Sequence, residues 1–327
     1  MSSPQNYLKM YDYDYWQTTK LEQALEDIEE ATKNLDKNGV YQQVLRFAIE
    51  NERVDVLNHI YDDCSKHNML RKQIEKHFYY SITHGRFKVA EFLIDKKVPL
   101  NDIDSSIKVA IPLMPTSLLK KFHEKTYDLT KSDLKILVHM FHQYPANFES
   151  IDYLLSLGLK IEDDYKEIVK GIFMVNSYEN MDKINYLYEK GIDLNRDDNI
   201  LLMFAIQSKM PEMLEHLLSK NIEKVISDEY VHYAFYNALR MNNPDFLDEI
   251  TKKEIKFNIN TEDFIRAIAE HDATEIFKYC VPLGLDVEKI KTYADNNLKE
   301  LLVKDLYNNI DNNLKRKDNV SNKKAKL

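Results

Sequence analysis

The chain has 327 residues, 44% of them hydrophobic, and a formal net charge of −9. This is apolar enough for a continuous core, yet no run nears the roughly 18 consecutive apolar residues that a membrane span requires, and six Gly with eight Pro are too few for the turns of a β-rich protein. The charge is uneven, because residues 310–327 hold six basic side chains against two acidic ones; an acidic body with a basic tail is not a uniform polyanion binder.

In chain order, the first residues lack both the basic and the apolar region of a secretory signal, so an intracellular protein without a membrane anchor is expected. Cys64 and Cys280 have no CxxC partner and are expected as buried thiols in a reducing compartment. A polar, tyrosine-rich entry (Tyr7, Tyr11, Tyr13, Tyr15, Trp16) leads to Thr19-Lys-Leu-Glu22, which reads as a capping box. Leu21, Leu25, Ile28, Ala31 or Thr32, and Leu35 then follow at helical spacing, and Gly39 marks the end of that helix. Residues 1–43 are thus expected to be an entry segment and an N-terminal capping helix with a charged outer face, Glu22, Glu26, Glu29, Glu30 and Lys33.

From residue 44 the sequence repeats itself. Ala48 matches Ser81, Val54 matches Phe87 and Ile60 matches Leu93, each 33 residues apart. The same offset relates Leu154 to Leu187, Gly158 to Gly191, Ile161 to Leu194, Ala205 to Ala238 and Leu217 to Ile250. A period near 33 residues predicts an α-solenoid of stacked helical hairpins over 44–287. Between these copies, Pro112 and Pro115 predict a shortened first helix in the unit from Val109 to Leu129. Pro211 and Pro244 fall just after inter-helix turns, where the first turn of a helix tolerates proline. Residues 288–312 are expected to close the array with a capping helix over 297–310, and residues 313–327 to be a basic, disordered tail.

An apolar first helix carrying Ala, a turn with Gly or Asn, and a second helix ending in Leu-Leu-x-x-Gly resembles the ankyrin repeat. In composition the chain is similar to the divergent ankyrin-like proteins of giant DNA viruses. The family's Thr-Pro-Leu-His opening is absent from every unit. The resemblance implies a non-enzymatic scaffold that binds another protein.

No GxGxxG, GxxxxGK, HExxH or GxSxG occurs, and no cofactor or small-molecule substrate is expected. His139 and His142 are spaced i, i+3 without an evident third ligand, so they read as packing or surface histidines rather than a metal site. His84 and His271 fall in or beside inter-helix turns, where an imidazole bonds a backbone carbonyl. The doublets Asp62-Asp63, Asp163-Asp164 and Asp197-Asp198 read as loop solubilisers or helix caps, because neighbouring carboxylates on a turn diverge instead of converging on one substrate. In Tyr230-Val-His-Tyr-Ala-Phe-Tyr236, Val231, Ala234, Phe235 and Ala238 make a buried stripe. Tyr230, His232, Tyr233 and Tyr236 are then the candidate partner-binding residues, with wedging between neighbouring hairpins as the alternative. Lys315, Arg316, Lys317, Lys323, Lys324 and Lys326 form a basic tail suited to nuclear import or nucleic-acid contact, or simply to solubility.

Overall fold

Helical spacing of apolar residues, with few glycines to interrupt it, gives helices throughout. The computed structural model describes residues 9–65, 69–97, 105–130, 135–143, 145–174, 179–208, 210–220 and 222–293, with side chains at all of these except 11, 13, 38, 62–65, 69–75, 105–107, 179 and 291. Among the described residues the fold is all-α, and the β-structure is confined to an isolated parallel bridge between Val225 and Lys256. The expected helix at 297–310 and the basic tail lie outside the described residues, as does the Cys64 side chain. The chain divides into two units, Met1–Asp164 and Tyr165–Leu327.

The first unit contains α1 (Tyr13–Thr18), α2 (Leu21–Asn34), α3 (Lys37–Glu50), α4 (Val54–Ser65), α5 (Met69–Thr83), α6 (Phe87–Asp95), α7 (Ser105–Ala110), α8 (Thr116–Lys125), α9 (Ile136–His142) and α10 (Phe148–Ser156). From α3 onward these make two rows. Helices α3, α5, α7 and α9 pack successively on one another, and α4, α6, α8 and α10 do the same. Small residues sit where the rows close up, since Ala48 and Ser81 are both fully buried and Ser81 Oγ is satisfied by the Phe78 carbonyl at 2.7 Å.

The second unit contains α11 (Tyr165–Met174), α12 (Glu179–Glu189), α13 (Arg196–Gln207), α14 (Pro211–Leu218), α15 (Val231–Ala234), α16 (Tyr236–Met241), α17 (Asp245–Lys252), α18 (Glu262–Glu270), α19 (Thr274–Cys280) and α20 (Val287–Tyr293). One row runs α11, α13, α15, α18, α20, and α12 packs on α14 in the other. Cys280 is buried and free, and burial pushes its thiol up to about 12.

The turns show how consecutive helices are joined. Within hairpins, Glu52, Gly85, Asn242 and Asp272 have φ between 50° and 69°. Each left-handed residue is followed by an amide that reaches back five residues: Arg53 to Ala48 at 2.8 Å, Arg86 to Ser81 at 2.6 Å, Asn243 to Ala238 and Ala273 to Ile268 both at 3.0 Å. This is a Schellman closure that satisfies the last carbonyls of the first helix. Two of these residues also cap the next hairpin: Glu52 Oε1 accepts from Lys88 N at 3.3 Å and Asn242 Oδ1 from Glu275 N at 2.7 Å. At the outer ends, Gly158 and Gly191 take φ of 98° and 75°, a region that costs a side chain energy. Around them Leu154, Leu187, Ile161 and Leu194 are buried as their shared spacing requires.

Five expectations are corrected. The capping box does not form: Lys20 occupies the N-cap of α2 without a side-chain bond, because Thr19 terminates α1 by donating its amide to the Tyr15 carbonyl at 2.9 Å. Gly39 ends no helix, since α2 stops at Asn34 and Asp36 caps α3 by accepting from Gly39 N at 2.9 Å; a division at residue 43 therefore falls inside α3. Asp62-Asp63 lies in α4, not on a turn. Pro211 opens α14, but Pro244 is the residue before α17 rather than within its first turn. The tyrosine-rich entry is in part core: Trp16 is fully buried, its Nε1 donates to the Met10 carbonyl at 2.8 Å and its ring stacks on Phe47.

Candidate interaction surface

Phe235 interrupts the helix between α15 and α16 and is fully buried, with Phe257 at 4.6 Å and Phe264 at 6.1 Å between ring centroids. With Val231, Ala234 and Ala238 it forms the expected buried stripe. That anchoring sends Tyr233 and Tyr236, three residues apart, outward, and they are 49% and 42% exposed. Tyr233 packs against His232 at 3.8 Å, and Tyr236 meets His271 edge to face at 5.5 Å. Met241 is 61% exposed at the end of α16.

The four candidate residues do not all belong to this surface. Tyr230 is buried, and its hydroxyl accepts from Lys166 Nζ at 3.2 Å while the ammonium lies 5.5 Å from the ring centre. That hydrogen bond raises the Lys166 pKa. His232 is half-buried, with Nδ1 3.9 Å from Asp263 Oδ2, too long for a hydrogen bond. The exposed pair is therefore Tyr233 and Tyr236, with His232 beneath one and His271 beside the other. The neighbours on α18 went unrecognised: Asp263 and Glu270 are exposed there, and Asp272 is exposed just beyond. The signal for them was faint because the spacing from Asn242 to Asp272 is 30 residues, not 33.

The other candidates do not assemble chemistry. His139 and His142 stand 6.3 Å apart on α9, and burial, then the His142 and Lys108 charges, lowers the His139 pKa. Among the described residues no three His, Cys, Asp or Glu side chains are grouped to hold a metal. His84 Nδ1 pairs with the Tyr80 carbonyl at 3.0 Å. Asp197 and Asp198 are exposed in a left-handed turn. Asp164 faces Lys135 at 3.7 Å across an open cleft of about 460 Å³ that Ile136, Leu159, Lys160 and Asp163 help to line. Its opposite charges face one another without a nucleophile and base in hydrogen-bond reach.

A further network joins the N-terminal segment to the first hairpins. Asp27, buried on α2, accepts from Lys9 Nζ at 2.8 Å, from the Tyr15 hydroxyl at 2.5 Å and from Gln23 at 3.1 Å. Burial works to raise its pKa, but these hydrogen bonds outweigh it and hold the carboxyl below its usual range. Burial, then the bond to Asp27, raises the Tyr15 pKa. Arg53 donates to the carbonyls of Trp16 and Thr19, both at 2.9 Å.

No helix among the described residues is long and apolar enough to cross a membrane. No family model, curated protein or solved structure matches this chain.

Proposed function

We propose that the chain is a non-enzymatic scaffold, an α-solenoid of ankyrin-like helical hairpins that binds another protein through one row of its helices. The observation that carries this reading is the pair Tyr233 and Tyr236, exposed side by side on a rigidly anchored row. Tyrosine offers a large contact area with a polar tip and little entropy to lose, and it is enriched among residues that dominate binding energy. Successive left-handed turns and cross-hairpin caps support the solenoid part, because at Glu52 and Asn242 one hairpin satisfies the backbone of the next. The scaffold has no need of a cofactor, a metal or a small substrate. The test is the double variant Tyr233→Ala, Tyr236→Ala: it should keep its helix content and lose the partner by tenfold or more in affinity, whereas unchanged partner affinity would overturn the reading.

A second reading rests on the charge of residues 310–327, six basic against two acidic, which suits nucleic acid or a nuclear import receptor. Nucleic-acid binding through this tail would fall steeply with salt. It would also vanish on truncation after Asn312.

A further inference from the structure

We propose that the Tyr233–Tyr236 face takes a basic segment of its partner, with arginine or lysine side chains over the tyrosine rings and against the carboxylates beside them. The proposal rests on the protein-binding reading above and adds the chemistry of the occupant.

Helix α18 packs on both α15 and α16 and borders the tyrosines with acid. The Glu262 and Asp263 side chains are 67% and 55% exposed, and Glu270 and Asp272 are exposed at its other end. The fixed cations here are Arg240, exposed one turn beyond Tyr236, Lys289 on α20, whose charge reaches Glu262, and Arg266. Arg266 is occupied, because it holds Glu262 at 2.8 Å, stands 3.8 Å from Asp263 and lies over the Tyr293 ring at 5.5 Å. His232, 3.9 Å from Asp263, and His271, edge to face with Tyr236 at 5.5 Å, are further titratable neighbours. Four carboxylates against two guanidiniums and one ammonium leave the rim acidic by one charge, and the sign holds more widely, since residues 165–293 contain 23 acidic and 16 basic side chains.

A ring face attracts a cation through its quadrupole, and the attraction grows as the partner excludes water. Asp263, 3.9 Å from the His232 that packs on Tyr233, and Glu270 and Asp272, either side of the His271 that meets Tyr236, add charge complementarity, which selects a partner and steers its approach. An acidic segment would meet repulsion from Asp263 and Glu270 at the same place. Exposed aromatic groups rimmed by one sign of charge therefore specify a partner of the other sign.

Fluorescence polarisation on the full chain at 150 mM salt tests this with two labelled probes, a 12-residue peptide of alternating Arg and Gly and its counterpart with Glu for Arg. The Arg peptide should bind saturably, and both Tyr233→Ala with Tyr236→Ala and Asp263→Asn with Glu270→Gln should weaken it tenfold or more. Glu162→Gln with Asp163→Asn, elsewhere on the chain, should leave it unchanged. Circular dichroism confirms that each variant keeps its fold. Absence of binding, loss of binding in the Glu162 and Asp163 variant to the same degree, or indifference to the Asp263 and Glu270 variant overturns the proposal. If the Glu peptide binds instead and depends on the tyrosines, the basic partner is excluded while the interaction surface stands.

Discussion

The Asp27 carboxylate is a residue that sequence reasoning passed over. It is 6% exposed because Lys9, Tyr15 and Gln23 supply the hydrogen bonds that water would otherwise give. Its folded pKa lies below the unfolded value of about 3.9, so the stability it contributes is present above that pH and is lost as pH falls through the folded value. Asp27→Asn should cost about 1–3 kcal/mol near pH 7, with the gap to wild type narrowing below about pH 4; urea titrations across that range measure it, and a gap independent of pH would contradict the account. Leu154 and Leu187 were legible for the opposite reason, as apolar residues in two copies of one pattern. Both are fully buried, so Leu154→Asp or Leu187→Asp should cost about 3 kcal/mol or more. A wild-type melting temperature in both variants would place these residues on the wrong face.

At the scale of elements, periodicity carried the hairpins and failed at the turns and the N-terminal segment. Glu52, Asn242 and Asp272 share the left-handed position with Gly85, and only the glycine and the asparagine are recognisable turn signals. Backbone closure and, for Glu52, capping of the next hairpin hold Glu52 and Asp272 there, which are tertiary effects that local propensity does not encode. Helix α1 was likewise hidden, because six residues carry too little periodicity to register. Its attachment depends on Arg53, whose donors reach two carbonyls while its other edge grips Asp55. Arg53→Ala should cost about 1–2 kcal/mol and loosen α1. Trp16 is the sole tryptophan, so its emission should shift to the red while far-ultraviolet circular dichroism stays near wild type. An unshifted emission maximum would show that α1 is held without Arg53.

For the whole molecule, composition and helical spacing were enough to read an all-α chain, which the described residues are, because that class follows from which residues must be buried. The proposed binding surface was half legible. The aromatic cluster stood out, but Tyr230 turned inward to meet Lys166, and the acidic rim comes from a helix some 30 residues later in sequence. No local pattern announces such a juxtaposition. The central claim is that the row carrying α15, α16 and α18 faces a protein partner and the other row does not. Site-specific photocrosslinking in the native cell tests it directly, with the photoreactive residue at position 236 and, as control, at position 188, where Tyr188 on α12 is 44% exposed. The account predicts one dominant protein adduct from position 236, lost when Asp263→Asn and Glu270→Gln are added, and none from position 188. Equal labelling from both positions, or adducts from position 188 alone, would contradict it.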